Sequence, residues 1–229
     1  MQNIRHIFFD LDDTLWDFEK NSTRVLRQLF LEYDLENKLK CDCETFLNTY
    51  KKINQQLWQL YNRKKIDKMQ LRNHRFNNTF KLFNYDNYSL NLEITEQYLT
   101  RSPQGTDLKE GCVDALNYLQ QKYQLHIITN GFKEVQSIKI NGSGLKKYFN
   151  RIIVSEELGF TKPDKEIFKY AEKLVNTKAA ECVMIGDNYE TDIMGALNVG
   201  WQALHFNNEN VSQLTSSEIK SLLDLKTIF

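Results

Sequence analysis

Four short runs of this chain are mostly apolar and do not alternate: residues 4–9, 125–129, 152–155 and 182–185, with a fifth candidate at 202–206. A strand with one wet face alternates in polarity, whereas a strand covered on both faces does not. Runs of this kind predict the middle of a parallel sheet with helices on either side. Helical spacing lies between them, at 111–122, 132–140, 164–175 and 191–198. Strand–helix alternation of this sort predicts an α/β fold built on a doubly wound, Rossmann-like parallel sheet.

Residues 16–103 break the alternation. They carry helical spacing at 17–33, 43–62, 67–83 and 92–100 and almost no strand signal. That is far too long for a single crossover between parallel strands. It reads as an α-helical domain inserted after the first strand, with hinges at 16–18 and in "TRSPQGTD", where Pro103 and Gly105 suit a linker. The expected organisation is a core of 1–15 plus 104–229 and a helical domain of 16–103. At 229 residues and 41% hydrophobic, the chain can bury a sizeable core. Thirty basic residues balance thirty acidic ones, so no cationic excess points to nucleic acid. No segment has the roughly 20 apolar residues of a membrane helix. Cys41 and Cys43 are too close for a Cys-x-x-Cys metal pair, and the four cysteines read as free thiols. A soluble protein in a reducing, cytoplasmic setting is expected.

The chemistry gathers where the apolar runs end. The first ends in "DLDDT", which puts Asp10, Asp12 and Asp13 within four residues. Like charges that close repel, so a partner of opposite sign is expected. Residues two apart on a strand face one way, which predicts Asp10 and Asp12 together and Asp13 elsewhere. The second run ends in "IITNG". Asn-Gly is a hairpin signal, yet "FKEVQSIKI" follows with helical spacing. Thr129, Asn130 and Gly131 then offer a hydroxyl and a freed amide at a helix start, which is a phosphate cradle. After the third run comes "GFTKPDKEIF". Pro163 suits the first position of a helix and keeps Lys162 extended at its positive end, as the group that balances the acids. The fourth run ends in "GDNYETD", where Asp187 reaches the same strand-end crevice as Asp10 and Asp192 stands behind it. A carboxylate pair with waters and phosphate oxygens is a usual Mg²⁺ environment.

In order and spacing these four stretches resemble the four motifs of the haloacid dehalogenase superfamily, and the resemblance covers the whole chain. It implies that the inserted helices are that superfamily's cap. It also implies that Asp10 is the nucleophile forming an aspartyl-phosphate, with Asp12 as general acid and then base. Mg²⁺ would be held by Asp10, the Asp12 carbonyl and Asp187. Thr129, Asn130 and Lys162 would hold the phosphoryl oxygens, with Thr14, Gly131 and Asp192 in support. Dehalogenases need no acid at the position of Asp12, because halide leaves unprotonated; its presence favours phosphoryl transfer.

The runs "ITNGF", "VSEELGFTKPDKEIF" and "LWQLYNRKKIDKMQLRNHRF" further resemble the YjjG-type pyrimidine 5′-nucleotidases. This resemblance implies a phosphatase acting on a small phosphorylated metabolite, a nucleoside monophosphate, as a monomer or small homo-oligomer. "INGSGL" departs from the group, which carries a more basic residue before Gly-Leu. A phosphoglycolate or sugar-phosphate phosphatase, a phosphomutase, and a non-catalytic phosphate-sensing or partner-binding domain remain as alternatives. Trp58, Tyr61, Arg75 and Phe76 could form an aromatic–arginine surface for a nucleobase, but Trp58 and Phe76 also fit the core of an amphipathic helix pair, and helical spacing favours the core for them.

Overall fold

The computed structural model describes residues 3–207 and 218–229. Strand β1 (His6–Phe9) is followed by five helices: α1 (Phe18–Glu32), α2 (Leu35–Leu39), α3 (Cys43–Asn62), α4 (Lys68–Leu82) and α5 (Tyr88–Arg101). The chain continues through α6 (Cys112–Leu119), β2 (Gln124–Thr129), α7 (Lys133–Gly142), β3 (Arg151–Val154), α8 (Lys165–Val175) and β4 (Cys182–Gly186). It ends with α9 (Gly195–Leu197), β5 (Gln202–Phe206), β6 (Glu218–Ile219) and α10 (Leu225–Ile228). Two compact units result, one of residues 1–18 with 106–229 and one of residues 19–105.

Among the described residues, six strands form one sheet in the order β3-β2-β1-β4-β5-β6, with every neighbouring pair parallel. The chain winds outward from β1 to β3, then restarts on the other side at β4. The winding direction therefore reverses between β1 and β4, where open α/β sheets leave a crevice at the carboxyl ends of their strands. Phe9 is level with Ile127 of β2 and Ile185 of β4. That register delivers Asp10, Thr129 and Asp187 to a single edge of the sheet.

Alternation along the strands fills both faces. Ile7, Phe9, Leu125, Ile127, Val183 and Ile185 pack on one side with Leu116 and Leu119 of α6. Phe8, Ile128, Ile153 and Met184 pack on the other with Ile167, Phe168 and Ala171 of α8. Each such large side chain, fully removed from water, contributes roughly 1.5–3 kcal/mol. This two-sided burial is why the strands read as continuous apolar runs.

Several boundaries differ from the sequence reading, for local reasons. Helix α8 starts at Lys165, because the Asp164 carboxylate accepts from Glu166 N–H at 3.1 Å and so caps it. Pro163 therefore precedes the cap, joined to Lys162 by a cis peptide, and does not occupy the first helical position. The helix expected at 191–198 begins earlier. Asn188 caps it through Thr191 N–H, and residues Tyr189–Met194 form a wide π-type turn ahead of α9. Helix α2 and strand β6 were not expected; at five and two residues, neither is long enough to show a period.

In the helical unit, Leu26, Leu29 and Phe30 of α1 pack with Phe46 and Tyr50 of α3, Phe76 and Phe80 of α4, and Ile94 and Tyr98 of α5. The helix starts are written locally. Asp42 accepts from Thr45 N–H at 2.8 Å, and Asp67 and Gln70 form a reciprocal capping box at 2.8 and 2.9 Å. Among the described residues, no helix is long and apolar enough to cross a membrane.

Candidate active site

Strand β1 stops at Phe9, although Asp10 N–H still reaches Ile185 O at 2.9 Å. A tight turn follows. Leu15 and Trp16 N–H both bond Leu11 O, at 3.0 and 2.9 Å, and Asp13 N–H bonds Trp16 O at 2.8 Å. Asp13 sits in the left-handed region, at φ 57°, which aspartate tolerates better than most residues. Strand alternation therefore does not extend to Asp12, and the two acids meet different partners.

Lys162 is buried at 1% exposure, and its ammonium lies 2.6 Å from Asp10 Oδ1 and 2.6 Å from Asp192 Oδ1. The Asn130 amide holds the lysine backbone in place. It donates to Lys162 O at 2.9 Å and accepts from Lys162 N–H at 2.8 Å. Asp192 also accepts from Asn188 N–H at 3.2 Å. A Cβ on Gly186 would fall 2.2 Å from Asp192 Oδ2, so that strand end needs a glycine. Asp187 is fixed by Thr14, whose hydroxyl donates to Asp187 Oδ1 at 3.1 Å and accepts from Asp187 N–H at 3.0 Å. His205 Nε2 donates to Asp187 O at 2.9 Å. Asp13 turns away to Lys109 at 2.9 Å, and the same ammonium reaches Asp17 at 3.2 Å.

Charge at this edge is unbalanced. One carboxylate oxygen from each of Asp10, Asp187 and Asp192 lies within 4.8 Å of the others, against the single ammonium of Lys162. Burial pushes Asp10 up to about 7 despite the pull of Lys162, and repulsion from Asp192 and Asp12 adds to it. Asp187 is raised well above the usual carboxylate range, by burial first and then by Asp10, Asp192 and Asp13. Burial opposes the charge on Lys162, yet Asp10 and Asp192 hold it above the ordinary lysine range. A hard divalent cation fits this oxygen donor set, because it would relieve the excess negative charge.

Asp12 belongs to a second network. Lys139 Nζ reaches its Oδ1 at 2.6 Å, and Gln136 Nε2 donates to its Oδ2 at 2.8 Å. The same Gln136 amide donates to Thr129 Oγ1 at 2.8 Å, and Gly131 N–H donates to that oxygen at 3.1 Å. The Gly131 amide is thus used within the turn and does not face outward as the phosphate-cradle reading expects. Both lone pairs of the Thr129 hydroxyl are filled, which leaves its O–H to donate elsewhere. Neither Gln136, Lys139, Lys109 nor His205 figures in the sequence reading. For the first two, the available signal was their i, i+3 spacing on the helix after "TNG".

Phe76 is core, fully buried beside Tyr50 and Phe80. Trp58 and Tyr61 meet edge to face at 5.5 Å, and the Arg75 guanidinium lies 5.8 Å from the Trp58 ring and 6.0 Å from the Tyr98 ring. Gly142 in "INGSGL" ends α7, and an added Cβ there would meet nothing. Cys112 and Cys182 are buried thiols pushed up to about 12 by burial, which removes them as nucleophiles.

Residues 4–200 match the haloacid dehalogenase-like hydrolase family. HAD-hydrolase YfnB of Bacillus subtilis is 33% identical, covering 98% of this chain and 95% of that one. Pyrimidine 5′-nucleotidase YjjG of Escherichia coli is 31% identical over 97% of this chain and 96% of its own. Human N-acylneuraminate-9-phosphatase is 29% identical over 96% and 89%. The crystal structure of YfnB bound to magnesium matches with a TM-score of 0.87 at 32% identity, over 99% of both chains. The motifs, the sheet order and these likenesses agree: the chain belongs to the haloacid dehalogenase-like hydrolases.

Proposed function

We propose that the chain is a Mg²⁺-dependent phosphatase that hydrolyses nucleoside 5′-monophosphates through an aspartyl-phosphate on Asp10. One observation carries the phosphatase reading. A lysine-paired acid, Asp10, stands at the sheet edge, while the acid two residues on, Asp12, is held by its own partners. A nucleophile and a separate proton carrier are what phosphoryl transfer needs.

In the first step an Asp10 oxygen bonds phosphorus, the ester P–O bond breaks, and the leaving oxygen takes a proton from Asp12. In the second, water bonds phosphorus and gives a proton to Asp12 as the Asp10–P bond breaks. Lys162 spends two of its N–H groups on Asp10 and Asp192, which leaves the third for a phosphoryl oxygen. Thr129 donates its remaining O–H to another, and Asn130 acts by fixing Lys162. Asp10, Asp187 and the Asp12 carbonyl would hold Mg²⁺, which when bound offsets the carboxylate charge and screens the incoming phosphate.

The nucleotide preference draws support from the likeness to YjjG and from the helical unit, where Arg75 lies beside Trp58 and Tyr98. An arginine among aromatic rings suits a flat, electron-rich group. The likeness to N-acylneuraminate-9-phosphatase keeps a sugar-phosphate substrate as the second reading. The test is phosphate release with Mg²⁺ across nucleoside monophosphates, sugar phosphates and phosphoglycolate. Preference for pyrimidine nucleotides supports the proposal, and preference for a sugar phosphate replaces the substrate while keeping the chemistry. Asp10→Asn is expected to cut turnover by about 10⁴-fold or more. Unchanged turnover in that variant would remove the mechanism itself.

A further inference from the structure

The network around Asp12 contains two side chains that the proposed reaction does not use. Gln136 has no exposed surface, and its Oε1 has no hydrogen-bond partner. Lys139 is 4% exposed, and its ammonium sits 4.4 Å from the Trp16 ring and 5.4 Å from the Phe18 ring. An amide with an orphaned oxygen and a buried ammonium are both unfavourable, and apolar residues of similar size would pack there without that cost. What they achieve is geometric. Lys139 takes Oδ1 of Asp12 and Gln136 takes Oδ2, so both carboxyl oxygens are held from α7. The second N–H of the same Gln136 amide holds Thr129 Oγ1. The turn before α7 is shaped around that amide, since a Cβ on Gly131 would lie 1.9 Å from Gln136 Nε2.

We propose that Gln136 and Lys139 are positioning residues. They aim the Asp12 carboxyl at the ester oxygen that leaves, and they tie it at a fixed distance to the Thr129 hydroxyl that holds the phosphoryl group. The inference rests on the assignment of Asp12 as proton donor in the proposed function. In the step concerned, the ester P–O bond breaks with its electron pair on the leaving oxygen, and the Asp12 proton moves to that oxygen. A carboxyl misplaced by about 1 Å can cost on the order of 100-fold, but only where the leaving group needs the proton.

The experiment compares leaving groups. First-turnover release is measured with Mg²⁺ for p-nitrophenyl phosphate, whose leaving group is stable as an anion, and for the alkyl monophosphate turned over fastest in the panel above. Lys139→Met and Gln136→Met are tested separately, so that either folded variant decides the question. The alkyl ester is expected to lose about 10- to 100-fold in first-turnover rate while p-nitrophenol release stays within about threefold, with KM little changed. Lys139→Arg, which keeps a donor to Oδ1, is expected to recover most of the alkyl rate. Equal losses on both esters, or no loss on either, would overturn the inference. Asp12→Asn in the same two assays separates the causes. If it too shows no dependence on the leaving group, the proton-donor assignment fails; if it does and the α7 variants do not, only the positioning role fails.

Discussion

Both units bury polar side chains, but on different terms. At the sheet edge the lysines have met carboxylates: Lys162 has Asp10 and Asp192, Lys139 has Asp12, and Lys109 has Asp13 and Asp17. In the helical unit, Arg75 is 6% exposed and has no carboxylate partner among the described residues. Its Nε, Asn54 Oδ1, Asn91 Oδ1 and Thr95 Oγ1 are buried without a hydrogen-bond partner. Native proteins leave few such groups, because each costs about 1–3 kcal/mol. Both units leave buried polar atoms unpartnered, Gln136 Oε1 among them, so the difference is one of charge: the lysines of the sheet edge are paired within the protein, and the Arg75 guanidinium is not.

The sharpest way to break the comparison is to remove the central cation. Lys162→Met would leave Asp10 and Asp192 buried and opposed with nothing between them. Breaking a buried pair in this way costs about 3–5 kcal/mol, so a urea titration should show a clearly lower midpoint, together with lost turnover. An unchanged midpoint would mean that the sheet-edge network is not held by its charges.

A smaller effect follows from pH and metal. Asp10 titrates near 3.8 in an unfolded chain and at about 7 when folded. Between those values the folded protein binds more protons than the unfolded one, so this group's contribution to stability falls as pH rises through the window. Mg²⁺ binds the deprotonated acids, and its stabilisation should therefore grow across the same range, to about 2–3 kcal/mol at a hundredfold excess over Kd. His126, pushed down to about 3 chiefly by burial and then by His6, acts in the opposite sense. Its contribution is present above about 6.5 and is lost as pH falls. Melting curves with and without Mg²⁺ at each pH cancel the histidine term. A metal shift that does not grow between pH 4 and 7 would count against a cation at Asp10 and Asp187.

How far these features were legible in the sequence depends on how far apart the partners lie. The strands were readable because two-sided burial removes alternation, and strand register then delivers Asp10, Thr129 and Asp187 to one edge. The turn after Phe9 was not readable, since it depends on the left-handed Asp13 and on bonds back to Leu11. Gln136 and Lys139 escaped notice because each meets Asp12 across more than a hundred residues, a pairing that local spacing does not encode. Pro163 was legible as a helix-start signal, but Asp164 beside it competes as the cap and wins through its hydrogen bond. In the helical unit, amphipathic spacing identified Phe76 as core but gave no indication that its neighbour Arg75 would be buried without a counter-charge.

That last point yields the smallest and most discriminating prediction. Removing a paired buried cation is costly, whereas replacing an uncompensated one with an apolar residue of similar length is often neutral or stabilising. Arg75→Met forfeits attraction to the Trp58 and Tyr98 rings, about 0.5–1 kcal/mol each, but also ends the desolvation cost of the guanidinium. The two should nearly cancel, leaving the urea midpoint within about 1 kcal/mol of the parent. Activity should divide by substrate. Turnover of p-nitrophenyl phosphate, which carries no base or sugar, should hold, while kcat/KM for the preferred substrate falls about tenfold through KM. Equal losses on both substrates would assign Arg75 to the chemistry, and a large drop in stability would show it to be a paired structural residue after all. Either result would erase the contrast between the two units.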